Sequence, residues 1–233
     1  MKTPRAKRGA VRTVVLPLQD AAGRPPTLSP PSEPEAREIA RAIRPHFRHY
    51  VEQYDTKKYW PFIYDRVRKE FRRPAHVTTA TLRDALLWKY GHLGKPAIPP
   101  AHERLISQVQ RGWAATVATL PTAPAAAFVA LDRAFGGKTR FITVAFLLHL
   151  LHPREVPIID QHNFRAVNAF IREARPGWHP RKKPSRYADL TLVATFMKAV
   201  LAAWRRHALY PAPSARDLDK FLMMYGKAIK GAA

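Results

Sequence analysis

Apolar and aromatic residues recur three and four positions apart along most of this chain, and no long stretch alternates apolar with polar. That spacing lines one face of an α-helix, whereas a half-buried strand needs a period of two. Glu35–Tyr54 shows it first, with Ile39, Ile43, Phe47, Tyr50, Val51 and Tyr54 in register across Pro45. Tyr59–Phe71 predicts a second helix rich in aromatics. Leu82–Tyr90 predicts a third, capped by Thr79 or Thr81 and stopped at Gly91 and Gly94. His102–Leu120 follows a proline break at 96–100, and Pro124–Phe135 runs up to Gly136-Gly137. Thr139–Leu151, Gln161–Arg175, Tyr187–His207 and Leu218–Ile229 complete the series. The expectation is an all-α fold without internal repeats. At 233 residues it forms either one large domain or two small helical lobes around a shared cleft.

Residues 1–34 depart from this pattern. They hold seven prolines and a basic cluster of Lys2, Arg5, Lys7, Arg8 and Arg12, with too little apolar periodicity to offset the entropy of ordering. A disordered basic arm ahead of a helical domain at 35–233 is expected, its cations either holding phosphates or simply facing water. Over the whole chain, 40 Lys+Arg stand against 17 Asp+Glu, a formal net charge of +23. Self-repulsion of that size opposes folding, and a polyanionic partner is the usual reason to carry it. Nucleic acid is the leading partner class and an anionic membrane surface the second; a structural RNA-binding role would carry the same charge. Cysteine is absent, which excludes disulfides, thiol nucleophiles, thiolate zinc sites and iron–sulfur clusters. No apolar run approaches the roughly 18–20 residues of a membrane span. The longest, Phe141–Leu151, is interrupted by Thr143 and His149 and reads as a buried helix. Val14-Val15-Leu16-Pro17-Leu18 is too short for a signal-peptide core. A soluble cytoplasmic monomer with no membrane partner, associated with the nucleoid, is expected.

Residues 131–168 read LDRAFGGKTRFITVAFLLHLLHPREVPIIDQHNFRAVN. A helix ends at Gly136-Gly137, where backbone lacking Cβ can turn sharply and approach another surface. A helix apolar almost all round follows. Pro153 and Pro157 then bound an extended stretch, Val156–Ile159, and Asp160 starts an amphipathic helix with Phe164, Val167, Phe170 and Ile171 facing inward. The order Gly-Gly, Lys-Thr, apolar helix, Val-Pro-Ile-Ile-Asp-x-His-x-x-Arg resembles the DNA glycosylases of the helix-hairpin-helix superfamily, especially those acting on oxidised guanine. The resemblance covers residues 134–168. It implies a two-lobed helical fold with a helix-hairpin-helix element and damaged duplex DNA crossing the cleft. The target base would be flipped into a pocket between the lobes. The implied nucleophile is Lys138 and its carboxylate partner Asp160, with Gly136, Gly137, Thr139 and Arg140 on the DNA. The implied activity is base-excision repair of an oxidised purine such as 8-oxoguanine, with β-lyase activity and no cofactor.

The chemistry suits these residue types. A fixed carboxylate stabilises the oxocarbenium-like sugar formed as the N-glycosidic bond breaks. A neutral lysine amine can attack C1′ and form a Schiff base that permits strand cleavage. Lysine's ordinary pKa of about 10.4 must first be lowered by desolvation or a nearby cation such as Arg140. The loop Ala134-Phe135-Gly136-Gly137 departs from the family's hairpin, which carries a proline and two spaced glycines ahead of its lysine. Counting back from Pro153 places Arg140 nearer the lysine position, and arginine forms no Schiff base. Three outcomes stay open: Lys138 as nucleophile, Asp160 acting with water, or a non-catalytic DNA binder on a degenerate scaffold.

Asp160 is equally an ordinary helix N-cap, and Lys138 alone an ordinary surface lysine. His149, His152 and His162 match no recognised metal-ligand spacing, so no metal is expected; His162 is read instead as lining the base pocket. Arg181, Lys182 and Lys183, with Arg175 and Arg186, form a basic loop flanked by Trp178 and Tyr187. It is read either as a phosphate contact with stacking aromatics or as a solvated loop.

Overall fold

The computed structural model describes residues 29–137, 140–179, 181–207, 209 and 211–230, and every regular element among them is helical. The elements are α1 (Glu33–Ile43), α2 (Phe47–Glu52), α3 (Pro61–Glu70), α4 (Thr79–Tyr90), α5 (Pro100–Ala118), α6 (Pro124–Phe135), α7 (Phe141–Leu151), α8 (Gln161–Ala174), α9 (Tyr187–Arg206) and α10 (Ala215–Ala228). The chain is all-α, as its apolar spacing requires. Proline opens α3, α5 and α6, where its missing N–H removes nothing and its fixed φ already suits a helix.

Three boundaries differ from expectation. Pro45 divides Glu35–Tyr54 into α1 and α2, joined by a 3-10 turn at Arg44–His46. Its ring clashes with the carbonyl four residues back, and it offers no N–H to the ladder. The helix expected at Leu82–Tyr90 is α4, and it is capped not by Thr79 or Thr81 but by Thr78, whose extended backbone lets its hydroxyl accept from Thr81 N at 3.1 Å. The Thr81 hydroxyl goes instead to Glu70. Finally, α1 begins at Glu33, inside the segment read as an arm, with a reciprocal cap between Ser32 and Glu35. Arg175 anchors this start through both Glu35 oxygens at 2.8 and 2.9 Å. Residues 1–28 lie outside the described residues.

Two sets of helices result. α1 packs on α8 and α9, while α2 and α8 pack on α10; α3, α4, α5, α6 and α7 pack in succession. One continuous apolar core joins the sets. At its centre is α7, buried from Phe141 through Leu150 except for Ile142. The Trp88 and Phe146 rings stack at 5.7 Å, and Phe47 stacks on Phe221 at 5.6 Å. The 20 residues of α9 have the length and hydropathy of a membrane span, yet 56% of that stretch is buried inside the protein. Its apolarity is that of a core helix.

His149 is the polar exception on α7. Its Nδ1 donates to Val156 O at 2.6 Å, and its Nε2 accepts from the Tyr64 hydroxyl at 2.6 Å. Both ring nitrogens are thereby occupied, which suits the neutral imidazole. Burial pushes its pKa down to about 4 from an ordinary 6.5. The unfolded chain therefore takes up this proton first as pH falls, and the folded state loses about 3 kcal/mol between pH 6.5 and pH 4. That loss is read as the difference between wild type and His149→Gln in urea unfolding at pH 7.5 and 4.5, because the buried Asp219, with its raised pKa, contributes with the opposite sign over the same range. His149→Gln should lower stability at pH 7.5 and lose less, or gain more, than wild type on going to pH 4.5.

Candidate active site

The stretch from Val156 to Ile159 carries the chain from the buried end of α7 to α8. There Asp160 takes an extended backbone (φ −143°, ψ −178°) and caps the helix. Its Oδ1 accepts from His162 N at 2.7 Å and Asn163 N at 2.9 Å. In return, Asn163 Oδ1 accepts from Asp160 N at 2.8 Å. Both cap amides fall on one carboxylate oxygen, so capping the helix uses only half of the group.

Two further groups converge on this cap from distant helices. Lys89, near the end of α4, donates from Nζ to Ile159 O at 3.0 Å, and the same amine lies 5.6 Å from the Phe146 ring centre. Asp219 of α10 accepts from Asn163 Nδ2 at 3.1 Å, and that amide also donates to Ile158 O at 2.7 Å. Burial drives the Lys89 amine below its ordinary pKa, outweighing the opposing pull of Asp160 and Asp219. Burial and the Asp160 charge push Asp219 up to about 7, against the Asn163 hydrogen bond and the Lys89 and Lys220 charges. A buried amine with a lowered pKa and a buried carboxyl with a raised one thus belong to the same cluster, an arrangement found at sites of acid–base chemistry.

A pocket of about 240 Å³ meets the cluster at Asp219; Tyr54, Tyr64, Trp88 and several cations also line it, while Asp160 and Lys89 are not among its lining residues. That is below the roughly 300–1,000 Å³ typical of pockets for drug-sized ligands, so it suits a small ligand. Tyr64 is braced by His149, and the Tyr64 and Trp88 rings stack at 5.1 Å.

Several residues singled out in the sequence fall elsewhere. Lys138 and Thr139 lie outside the described residues. Gly136 and Gly137 join α6 to α7, and a Cβ on Gly136 would stand 2.2 Å from Asp132 O. Gly137 has φ +139°, a conformation that side chains resist. Arg140 is held by Gln108 of α5 and lines a groove with Arg104 and Arg111. His162 is half-buried with its ring 3.4 Å from Arg165, and the pocket is walled by other residues. Arg181 turns back to Asp189 at 3.5 Å, a buried carboxylate that also caps α9. Lys182 and Lys183 are exposed. Trp178 does not stand free for stacking: it is buried, with Nε1 on Asn168 Oδ1 at 3.1 Å. Tyr187 packs on Phe128 at 5.6 Å.

Sequence reasoning missed Lys89, Asp219 and Asn163. A signal existed for Lys89, since it continues the stripe Leu82, Ala85, Leu86 at helical spacing, where a charge is out of place. Asp219 similarly adjoins the buried stripe of Leu218, Phe221 and Leu222. Comparison with protein-family models, curated proteins and solved structures finds no match for this chain.

Proposed function

We propose that the chain is a DNA glycosylase that binds duplex DNA and releases a damaged base, with Asp160 as the carboxylate that stabilises the developing sugar cation. The observation that carries this reading is the cluster of the Asp160 cap, the Lys89 amine on Ile159 O and Asp219 on Asn163, which a small pocket lined in part by Tyr54, Tyr64 and Trp88 meets at Asp219. A flipped base needs such a pocket, and a glycosidic bond needs a carboxylate beside it. The formal charge of +23 supports a polyanionic partner. The α6–α7 connection is proposed as the hairpin that grips phosphates, aided by Arg140. The covalent step falls to Lys138 or to Lys89.

A non-catalytic DNA binder is the second reading, favoured by the Gly136-Gly137 connection and by the capture of Arg140 by Gln108. Incubation with duplexes carrying 8-oxoguanine, uracil, an alkylated purine or an abasic site, with and without borohydride, separates the two. Base release is expected, with a trapped adduct whose position is read by peptide mass spectrometry. An adduct on Lys138 or Lys89 identifies the amine. Release without an adduct makes the enzyme monofunctional on Asp160. Tight duplex binding without release on any substrate establishes the binder.

A further inference from the structure

We propose that the groove between α5 and the start of α7 binds single-stranded nucleic acid, with Arg104, Arg111 and Arg140 on its phosphates and an unpaired base against Tyr90 and His102. The groove is separate from the pocket at Asp219 and goes beyond the glycosylase reading. It binds a strand whether or not that pocket releases a base.

The arrangement of charge comes first. Arg104, Ser107, Gln108 and Arg111 follow one another at i, i+3, i+4 and i+7, so they share one face of α5. The two arginines stand about 10 Å apart along the helix axis, at 1.5 Å per residue. Arg140 joins the row from the N-cap of α7, where Gln108 accepts from its guanidinium. Gln108 is neutral, so it fixes the direction of that charge without cancelling it. Glu103, the one acid among the described lining residues, gives both carboxylate oxygens to Arg83. Elsewhere Arg41, Arg66 and Arg175 meet carboxylates, whereas among the described residues none pairs with Arg104, Arg111 or Arg140. A row of three unneutralised cations suits a chain of phosphates better than a single anion.

Aromatic surface in the same groove decides which polyanion fits. Tyr90 and His102 line it, and their rings stack at 4.1 Å with planes 18° apart. A hydrogen bond fixes each ring: the Tyr90 hydroxyl meets Thr143 Oγ1 at 2.6 Å, and His102 Nδ1 meets His92 Nε2 at 2.9 Å. Ordered rings beside a cationic groove are the elements of a single-strand site, because every base has a face that can stack. In a duplex those faces are covered by the neighbouring pairs, so the rings add nothing to duplex binding. The volume, about 870 Å³, lies toward the upper end of the roughly 300–1,000 Å³ of small-ligand sites and leaves room for a nucleotide.

The test titrates the intact protein into fluorescein-labelled oligothymidine, oligouridine and an undamaged duplex of equal length, read by anisotropy. Both single strands should bind, and the tighter of the two names the natural strand as DNA or RNA. Arg104→Gln with Arg111→Gln should weaken single-strand binding and make the log–log salt dependence shallower by about 1.4, two contacts at about 0.7 each. His102→Ala should weaken single-strand binding at least about fivefold and leave duplex affinity unchanged. Oligothymidine carrying 5-iodouracil, irradiated on the wild-type protein, should cross-link to Tyr90 or His102, as read by peptide mass spectrometry. That result does not depend on any variant folding. The proposal is overturned by adducts that lie only outside the groove, by single-strand affinity that neither variant changes, or by equal loss of duplex and single-strand binding in His102→Ala. Displacement of the strand by thymidine monophosphate at an affinity equal to the strand's own also overturns it, because the groove would then hold a mononucleotide.

Discussion

Asp160→Asn should abolish base release while leaving the protein folded and bound to duplex DNA. The cap explains why these effects separate. Both helix amides fall on Oδ1, and an asparagine oxygen replaces that acceptor at almost no cost, since Asn and Asp are equivalent at an N-cap. The substitution removes the negative charge, the part of the group that stabilises an oxocarbenium-like sugar. Losing one such preorganised interaction lowers rates by about 10²–10³-fold. Asp160→Ala removes charge and cap together and should cost a further ~1 kcal/mol of stability. In a chain of this size that lowers Tm by about 2–4 °C. Single-turnover release, duplex affinity and thermal melts of both variants decide the matter. If Asp160→Asn melts like Asp160→Ala while its release rate is unchanged, the aspartate serves the helix alone.

The largest effect on stability is expected at Gly226. A Cβ there would lie 1.9 Å from His162 O and 2.6 Å from its carbonyl carbon, both backbone atoms. No rotamer change relieves such a clash, so Gly226→Ala must push α10 away from the start of α8. Overpacking of this kind costs about 3 kcal/mol, or about 6–12 °C in Tm. The hydrogen bond from Arg165 Nη1 to Gly226 O, 2.7 Å long, is lost with the displacement. So is the 3.1 Å contact between Asn163 and Asp219, because α10 carries Asp219. Activity should therefore fall even below the melting transition. A melt within 2 °C of wild type would mean that the helices slide apart freely and that the crossing does not position the site.

Much of this was legible in the residues themselves. The spacing of Ile39, Ile43 and their successors marks the helices, and the unbroken apolarity of Phe141–Leu151 marks the central one. The cap at Asp160 follows from its place before Gln161–Arg175. The interruption at Pro45 was equally local, but the apolar register runs through it and conceals it, because a 3-10 turn shifts the facing residues only slightly.

The groups around Asp160 were not legible, for a reason of distance along the chain. Lys89 meets Ile159 across 70 residues, and Asn163 meets Asp219 across 56. Periodicity assigns each to a helix face but is silent about which faces meet. The same holds for Arg175, whose charge reads as a phosphate contact until Glu35 claims it 140 residues away. By itself, then, the sequence determined the run of helices, the cap at Asp160 and the buried centre, because these depend on neighbours within a turn or two. Which charges were neutralised by partners and which were gathered beside a pocket was decided only by tertiary packing, since burial and long-range contacts set the electrostatics of a side chain.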